Sequence, residues 1–220
     1  MEIYVCPASL KTHPVPTMKI PTSRRQSGFT LIELLVVIAI IAVLAAAGFS
    51  AGLAAIQRAK RTKALATCTA LETAVNNFYT EYGSMPVDTS GNADPAPINT
   101  KTDTGFLDEL LGDDNSTINT RKIKFLDVKE GKDKGGKGGI DGLVYDSSGK
   151  TVKGLFDPWG GPFFVQLDGN YDEQVQPKPS APAPSSGYPT LHRRVAAWSN
   201  GADAAPSGQG GKASDDVTTW

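Results

Sequence analysis

The sequence predicts an α+β fold: one long N-terminal helix packed on a small antiparallel C-terminal β-sheet. Three observations carry that prediction. Residues 34–57 hold no charge and are largely apolar. Directly after them Leu65, Cys68, Leu71, Val75, Phe78, Tyr79 and Tyr82 recur at threes and fours, the stripe of an amphipathic helix facing a core. Beyond residue 83 glycine and proline are plentiful, and aromatic or β-branched runs stand at 163–165 and 195–198, as in short strands separated by turns.

The helix follows an abrupt change of composition. Ser23-Arg24-Arg25-Gln26-Ser27-Gly28 is basic and polar, and the apolar run opens at Phe29. A secretory signal has its small-residue cleavage site after the apolar region; here the small residue comes first. Cutting after Gly28 would remove residues 1–28 as a leader and keep residues 29–57, enough helix to cross a bilayer's hydrocarbon core. One acid, Glu33, interrupts the start of this run. An ionised carboxylate near the membrane costs about 2.5 kcal/mol or more unless something neutralises it. The α-amino group freed on Phe29 would lie one helical turn away, on nearly the same face. Within one chain both groups point along one side of the helix end. Between neighbouring chains offset along their axes they meet, which neutralises two charges and sets the axial register.

Residues 58–83 continue the helix as its amphipathic half, so that Phe29 to Tyr82 would span on the order of 80 Å. Arg58, Lys60, Arg61 and Lys63 read as a solvated face. Gly48 and Gly52 would let helices approach closely or permit local melting. Gly83 ends the helix and Pro86 prevents its resumption. Of the two cysteines, Cys6 falls in the leader, which leaves Cys68 unpaired as a small buried hydrophobe. Met18 would serve as a start as well as Met1.

Arg24-Arg25-Gln26-Ser27-Gly28-Phe29-Thr30-Leu31-Ile32-Glu33-Leu34-Leu35-Val36 resembles the class III leader junction of type IV pilins and type II secretion pseudopilins. The resemblance implies cleavage between Gly28 and Phe29 by a prepilin peptidase, N-methylation of Phe29, insertion by the long helix, and polymerisation into a helical filament with Glu33 in the assembly contact. It also implies a cytoplasmic leader and an exterior C-terminal part, an orientation that basic residues on both sides of the apolar run leave undecided. Asn77-Phe78-Tyr79-Thr80-Glu81-Tyr82-Gly83-Ser84-Met85-Pro86 is similar to the pseudopilin pattern of a tyrosine-bearing last turn running into Gly-x-x-Pro.

Residues 84–154 read as a variable loop region. A short helix is expected at 105–111 and a strand at 123–128. The glycine- and lysine-rich stretch 130–139 reads as a mobile loop, without the spacing or context of a phosphate-binding loop. Residues 155–220 hold the sheet. Asp157-Pro158-Trp159-Gly160, with Pro162, closely resembles the Asp-Pro-Trp-Gly-x-Pro turn of the major pseudopilin of type II secretion. That resemblance implies a rigid turn, a buried indole and entry into the first strand; carbohydrate binding by Trp159 is the alternative. Asp168-Gly169-Asn170 turns the chain, and residues 177–189 form a Pro/Ser/Ala loop. Residues 192–199 return as a strand, with Val195 and Ala197 on one face and Ala196 and Trp198 on the other.

The tail, Trp198-Ser199-Asn200-Gly201-Ala202-Asp203 and Ser214-Asp215-Asp216-Val217-Thr218-Thr219-Trp220, is similar to the end of major pseudopilins, which implies a calcium site. Asp203 and Asp216 match by position, Ser214 or Asp215 would add a contact, and backbone oxygens near Ser199 would complete the set. Calcium accepts carboxylate and carbonyl oxygens in flexible geometry. Solvated acids are the alternative, and EF-hand spacing is absent.

A net charge of -1 gives no electrostatic case for nucleic acid. His13 and His192 are the only histidines, and no Ser/His/Asp set or metal-binding histidine cluster can be assembled, so no enzyme is expected. The expected protein is a single-pass inner-membrane pseudopilin whose C-terminal domain lies in the periplasm and whose filament drives type II secretion. Its expected partners are copies of itself, minor pseudopilins, the inner-membrane assembly platform, the prepilin peptidase and membrane lipid. The alternatives are a type IV pilin for adhesion, motility or DNA uptake, and a membrane-anchored binding protein or enzyme.

Overall fold

The computed structural model describes residues 28–89, 93–177, 189–203 and 215–220, except for the side chains of residues 47–51 and 137. The leader except Gly28, most of the Pro/Ser/Ala loop, and Ser214 lie outside the described residues. The chain divides into two compact units, residues 1–48 and 49–220.

Helix α1 runs Leu31–Tyr82. At its start Phe29, Leu31, Ile32, Leu34 and Leu35 are all exposed, so this end has no core of its own. Among the described residues no helix is long and apolar enough to cross a membrane. The expected crossing at 29–57 includes residues 47–51, whose side chains lie outside those described.

Farther along, α1 buries Ala64, Cys68, Leu71, Ala74, Val75 and Phe78 completely. The stripe is therefore narrower than the sequence suggests. Leu65 is 42% exposed, because it stands about 100° round the helix from Ala64, and Tyr79 and Tyr82 are half-buried. The helix stops where expected: Gly83 adopts φ 69° and its N–H donates to Tyr79 O at 2.8 Å.

The rest of the chain supplies α2 (Thr104–Leu111) and strands β1 (Ile98–Asn99), β2 (Lys132–Asp133), β3 (Gly139–Ile140), β4 (Gly142–Tyr145), β5 (Val152–Phe156), β6 (Phe163–Leu167), β7 (Val195–Ser199) and β8 (Val217–Thr218). An antiparallel sheet has the order β1-β6-β7-β8, and β2-β3 and β4-β5 are separate hairpins. Its inner residues Phe163, Val165, Leu167, Val195, Ala197 and Val217 join the α1 stripe, α2 and the β4-β5 hairpin in one core. Burying each large side chain contributes about 1.5–3 kcal/mol. On the opposite face of β7, Trp198 stacks on Phe164 with ring centroids 5.5 Å apart and meets Trp220 edge-on at 6.0 Å. The expected alternation of Val195 and Ala197 against Ala196 and Trp198 is present, and both faces are buried.

Three expectations need correction. Residues 123–128 form no strand: the Phe125 and Leu126 amides both donate to Leu110 O, at 2.8 and 3.0 Å, satisfying a helix-end carbonyl that has no partner within α2. Residues 130–139 are not a mobile loop. Lys132 and Asp133 pair with Ile140 and Gly139, and Gly139 serves close approach, since a Cβ there would stand 2.4 Å from Val144 Cγ2 and 2.6 Å from Phe156 Cδ2. The strand expected at 192–199 starts at Val195, because Leu191 instead bridges to Val175.

Candidate functional site

The N-terminal junction is ordered by its own side chains. Thr30 stands just before α1, and its N–H and Oγ1 donate to Glu33 Oε2 at 2.8 and 2.7 Å. In return the Glu33 N–H donates to Thr30 Oγ1 at 3.3 Å. This is a capping box, in which Thr at the N-cap and Glu three residues on satisfy each other's backbone donors. The Thr-x-x-Glu spacing of this box is present in the sequence at Thr30 and Glu33. Gly28 and Phe29 lie immediately before this box, both exposed.

The turn at 157–162 is built around one carboxylate. Asp157 Oδ1 accepts N–H bonds from Trp159 (2.9 Å), Gly160 (2.8 Å) and Gly161 (2.9 Å). Its Oδ2 accepts the Ser199 hydroxyl at 2.6 Å. Asp157 and Pro158 are buried, and burial pushes the Asp157 carboxyl above its ordinary range, with Ser199 and the three backbone donors opposing the shift. Pro162 bridges back to Phe156, which closes the turn. Two details differ. The Trp159 indole is half-buried, its Nε1 donating to Gln57 Oε1 at 3.1 Å, and the strand it leads into is β6. Nearby, burial pushes the Cys68 thiol up, Glu72 and Asp157 adding to the effect, so this cysteine is an unreactive core residue.

Ser199 couples the turn to the tail. Its Oγ accepts the Gly201 N–H at 3.1 Å, and Gly201 packs on Asp215 so closely that a Cβ there would lie 2.1 Å from Asp215 O. With φ 70° as well, position 201 admits only glycine without rearrangement. The contact brings the two acidic arms together: the Asp203 N–H donates to Asp215 Oδ2 at 3.2 Å. The sequence match favoured Asp203 and Asp216, whereas here Asp215 is the acid that reaches Asp203. Asp216 turns its carbonyl to Arg61 Nη2 at 3.2 Å, and Lys63 meets Asp141 at 3.5 Å, so the basic cluster on α1 is not merely solvated. Farther along, Arg193 Nη1 reaches Glu72 Oε1 and Thr219 O, both at 3.3 Å.

Among the described residues Asn200 Oδ1 and Asp215 Oδ1 are buried without a hydrogen-bond partner, a costly state for buried acceptors. Among the described residues no three Asp, Glu, His or Cys side chains converge as a metal cage.

Against known proteins, residues 23–49 match the prokaryotic N-terminal methylation motif. Over 78 residues the chain is 41% identical to the prepilin peptidase-dependent protein D of Escherichia coli (strain K12), covering 35% of this chain and 53% of that protein. Over 76 residues it is 37% identical to the fimbrial protein EcpC of Eikenella corrodens, covering 34% of this chain and 50% of that protein. No solved structure matches. The chain is thus similar to these two proteins over about a third of its own length. The chain spans about half the length of the curated relatives it matches.

Proposed function

We propose that this chain is a structural subunit of an envelope filament, and specifically the repeating pseudopilin of a type II secretion apparatus rather than an enzyme. The observation that carries the proposal is the junction: an exposed apolar helix start with one capped acid, directly after a peptidase-type boundary. Cleavage after Gly28 by a prepilin peptidase frees the Phe29 amine, which is then methylated. The α1 start anchors the subunit in the inner membrane. In the fibre, Glu33 of one subunit takes the Phe29 ammonium of the next while Thr30 continues to hold Oε2. Such a head-to-tail contact does not close, and so generates a filament. Minor pseudopilins, the inner-membrane assembly platform and membrane lipid complete the partner set, and the domain beyond α1 faces the periplasm.

The Asp157–Pro162 turn and the acidic tail support the pseudopilin reading. The fimbrial relative favours the second reading, a pilus subunit for adhesion, motility or DNA uptake. Mass spectrometry of the mature subunit tests the class: the expected N-terminus is methylated Phe29, and an intact Met1 or Met18 start overturns it. A deletion strain separates the two uses, since a pseudopilin deletion stops exoprotein release and leaves surface pili in place.

We also propose that the tail holds calcium through Asp203 and Asp216, with Asp215 or Ser214 as a further contact and backbone oxygens near Ser199 completing the set. A bound cation would relieve the buried acceptors Asn200 Oδ1 and Asp215 Oδ1, and binding to the folded state alone raises stability by mass action. The melting temperature is expected to fall by several degrees on adding chelator, about 2–4 °C for each kcal/mol at this chain length. Superimposable melts with and without chelator would leave these residues as solvated acids.

A further inference from the structure

The buried stripe of α1 continues toward the N-terminus past the edge of the domain. Stepping back from Cys68 and Ala64 by threes and fours gives Lys60, Gln57 and Leu53, which share one helix face. Burial falls along that line. Cys68 and Ala64 are fully buried, Lys60 is half-buried, Gln57 is exposed, and Leu53 is 53% exposed. The edge itself is the Asp157 turn, where the half-buried Trp159 indole donates to Gln57 Oε1 at 3.1 Å.

The glycine-rich hairpin stands at the same edge. A Cβ on Gly160 would lie 3.2 Å from Gly139 O and 3.7 Å from Lys134 Nζ, so the Lys134 ammonium is a close neighbour of the tryptophan turn. Asp141, just after β3, is shared by two lysines, Lys63 of α1 and Lys129. Arg58, Lys60 and Lys134 form no ion pair among the described residues. The edge therefore carries more positive charge than its one acid answers. Leu53 and Ile56 are exposed on α1 directly before it, and Arg58 is the first charge after the uncharged run 34–57.

An indole and unpaired cations next to exposed apolar side chains form the combination that suits a membrane–water interface. Tryptophan rings sit at headgroup level, and long basic side chains lay their stems on apolar surface with their charged heads outward. We propose that this edge, Arg58, Lys60 and Lys134 around Trp159, docks on the phosphates of an anionic phospholipid surface. The proposal rests on the anchoring of α1 in the inner membrane, and adds a contact that the folded domain makes itself. Charge complementarity favours this partner, because the same basic edge of a second copy would be repelled. Each ammonium near an anionic leaflet favours the docked state by about fivefold.

Hydrogen exchange, read by mass spectrometry over residues 131–139 of the mature full-length chain, tests this. The chain is placed in nanodiscs of phosphatidylcholine alone, or of equal parts phosphatidylcholine and phosphatidylglycerol. Slower exchange is expected in the anionic discs only, and is expected to vanish near 1 M salt, where the Debye length is about 3 Å. Lys60→Gln with Lys134→Gln is expected to abolish the slowing, and Lys60→Arg with Lys134→Arg to keep it. Equal exchange in the two discs, or slowing that survives the glutamine pair, overturns the docking. Slowing that instead grows with the number of chains per disc in phosphatidylcholine alone would identify a second copy as the occupant, and overturns it too. Retention in the neutral discs reports the anchor separately. A chain retained in neither disc overturns anchoring and docking together, whereas a retained chain with indifferent exchange overturns the docking alone.

Discussion

Glu33→Ala subunits are expected to enter the membrane at the normal level and to yield at least about tenfold less filament, the loss that 1.4 kcal/mol or more in subunit association produces. In the proposed filament the substitution removes two things at once. Locally it opens the capping box, worth about 0.5–2 kcal/mol of helix-end stability. Between subunits of the proposed filament it would leave the Phe29 ammonium of the neighbour unpaired in apolar surroundings, at a cost of about 2.5 kcal/mol or more. Thr30→Ala opens the box and keeps the acid, so it is expected to reduce assembly less. Glu33→Gln retains a side-chain acceptor for the Thr30 donors but removes the charge, and is expected to resemble Glu33→Ala. Sheared filaments quantified by immunoblot against membrane-inserted subunit decide it. Normal polymer from Glu33→Gln would show that the acid works through capping alone.

Asp157→Ala is expected to lower the stability of the domain by about 3 kcal/mol, since three backbone N–H donors and the Ser199 hydroxyl lose their acceptor and a net hydrogen bond is worth about 0.5–1.5 kcal/mol. At about 2–4 °C per kcal/mol, the melting temperature should drop by roughly 10 °C. The damage should extend to the tail, because Ser199 also fixes Gly201. Asp157→Asn keeps an acceptor for the turn and should cost less. Its pH profile is also informative. Burial holds the native carboxyl above its unfolded value, so the folded state keeps the proton to higher pH. This group's contribution to stability is therefore greatest below the ordinary carboxylate range and is lost as pH rises through the raised native value. Asp157→Asn should flatten that part of the curve. An Asp157→Ala protein melting within about 2 °C of the parent would show that the turn is held by Pro158 and Pro162 instead.

Much of this protein was legible residue by residue, for a physical reason. The apolar run, the end of α1 at Gly83, helix α2 and the turn at Asp157 rest on neighbours within about ten positions, and propensity, periodicity and capping act over that range. The capping box at Thr30 and Glu33 belongs to the same local class. Tertiary contact decided the rest. The stripe on α1 admits alanines 64 and 74 and excludes Leu65, because what packs against the helix sets the width of its buried face. The 123–128 segment became a partner of the Leu110 carbonyl, and the glycine-rich stretch became a hairpin against Phe156, since each found a long-range surface that local composition does not encode. The link from Asp157 through Ser199 and Gly201 to Asp215 joins residues 42 positions apart in its first step alone, and only the folded chain brings them within hydrogen-bond reach.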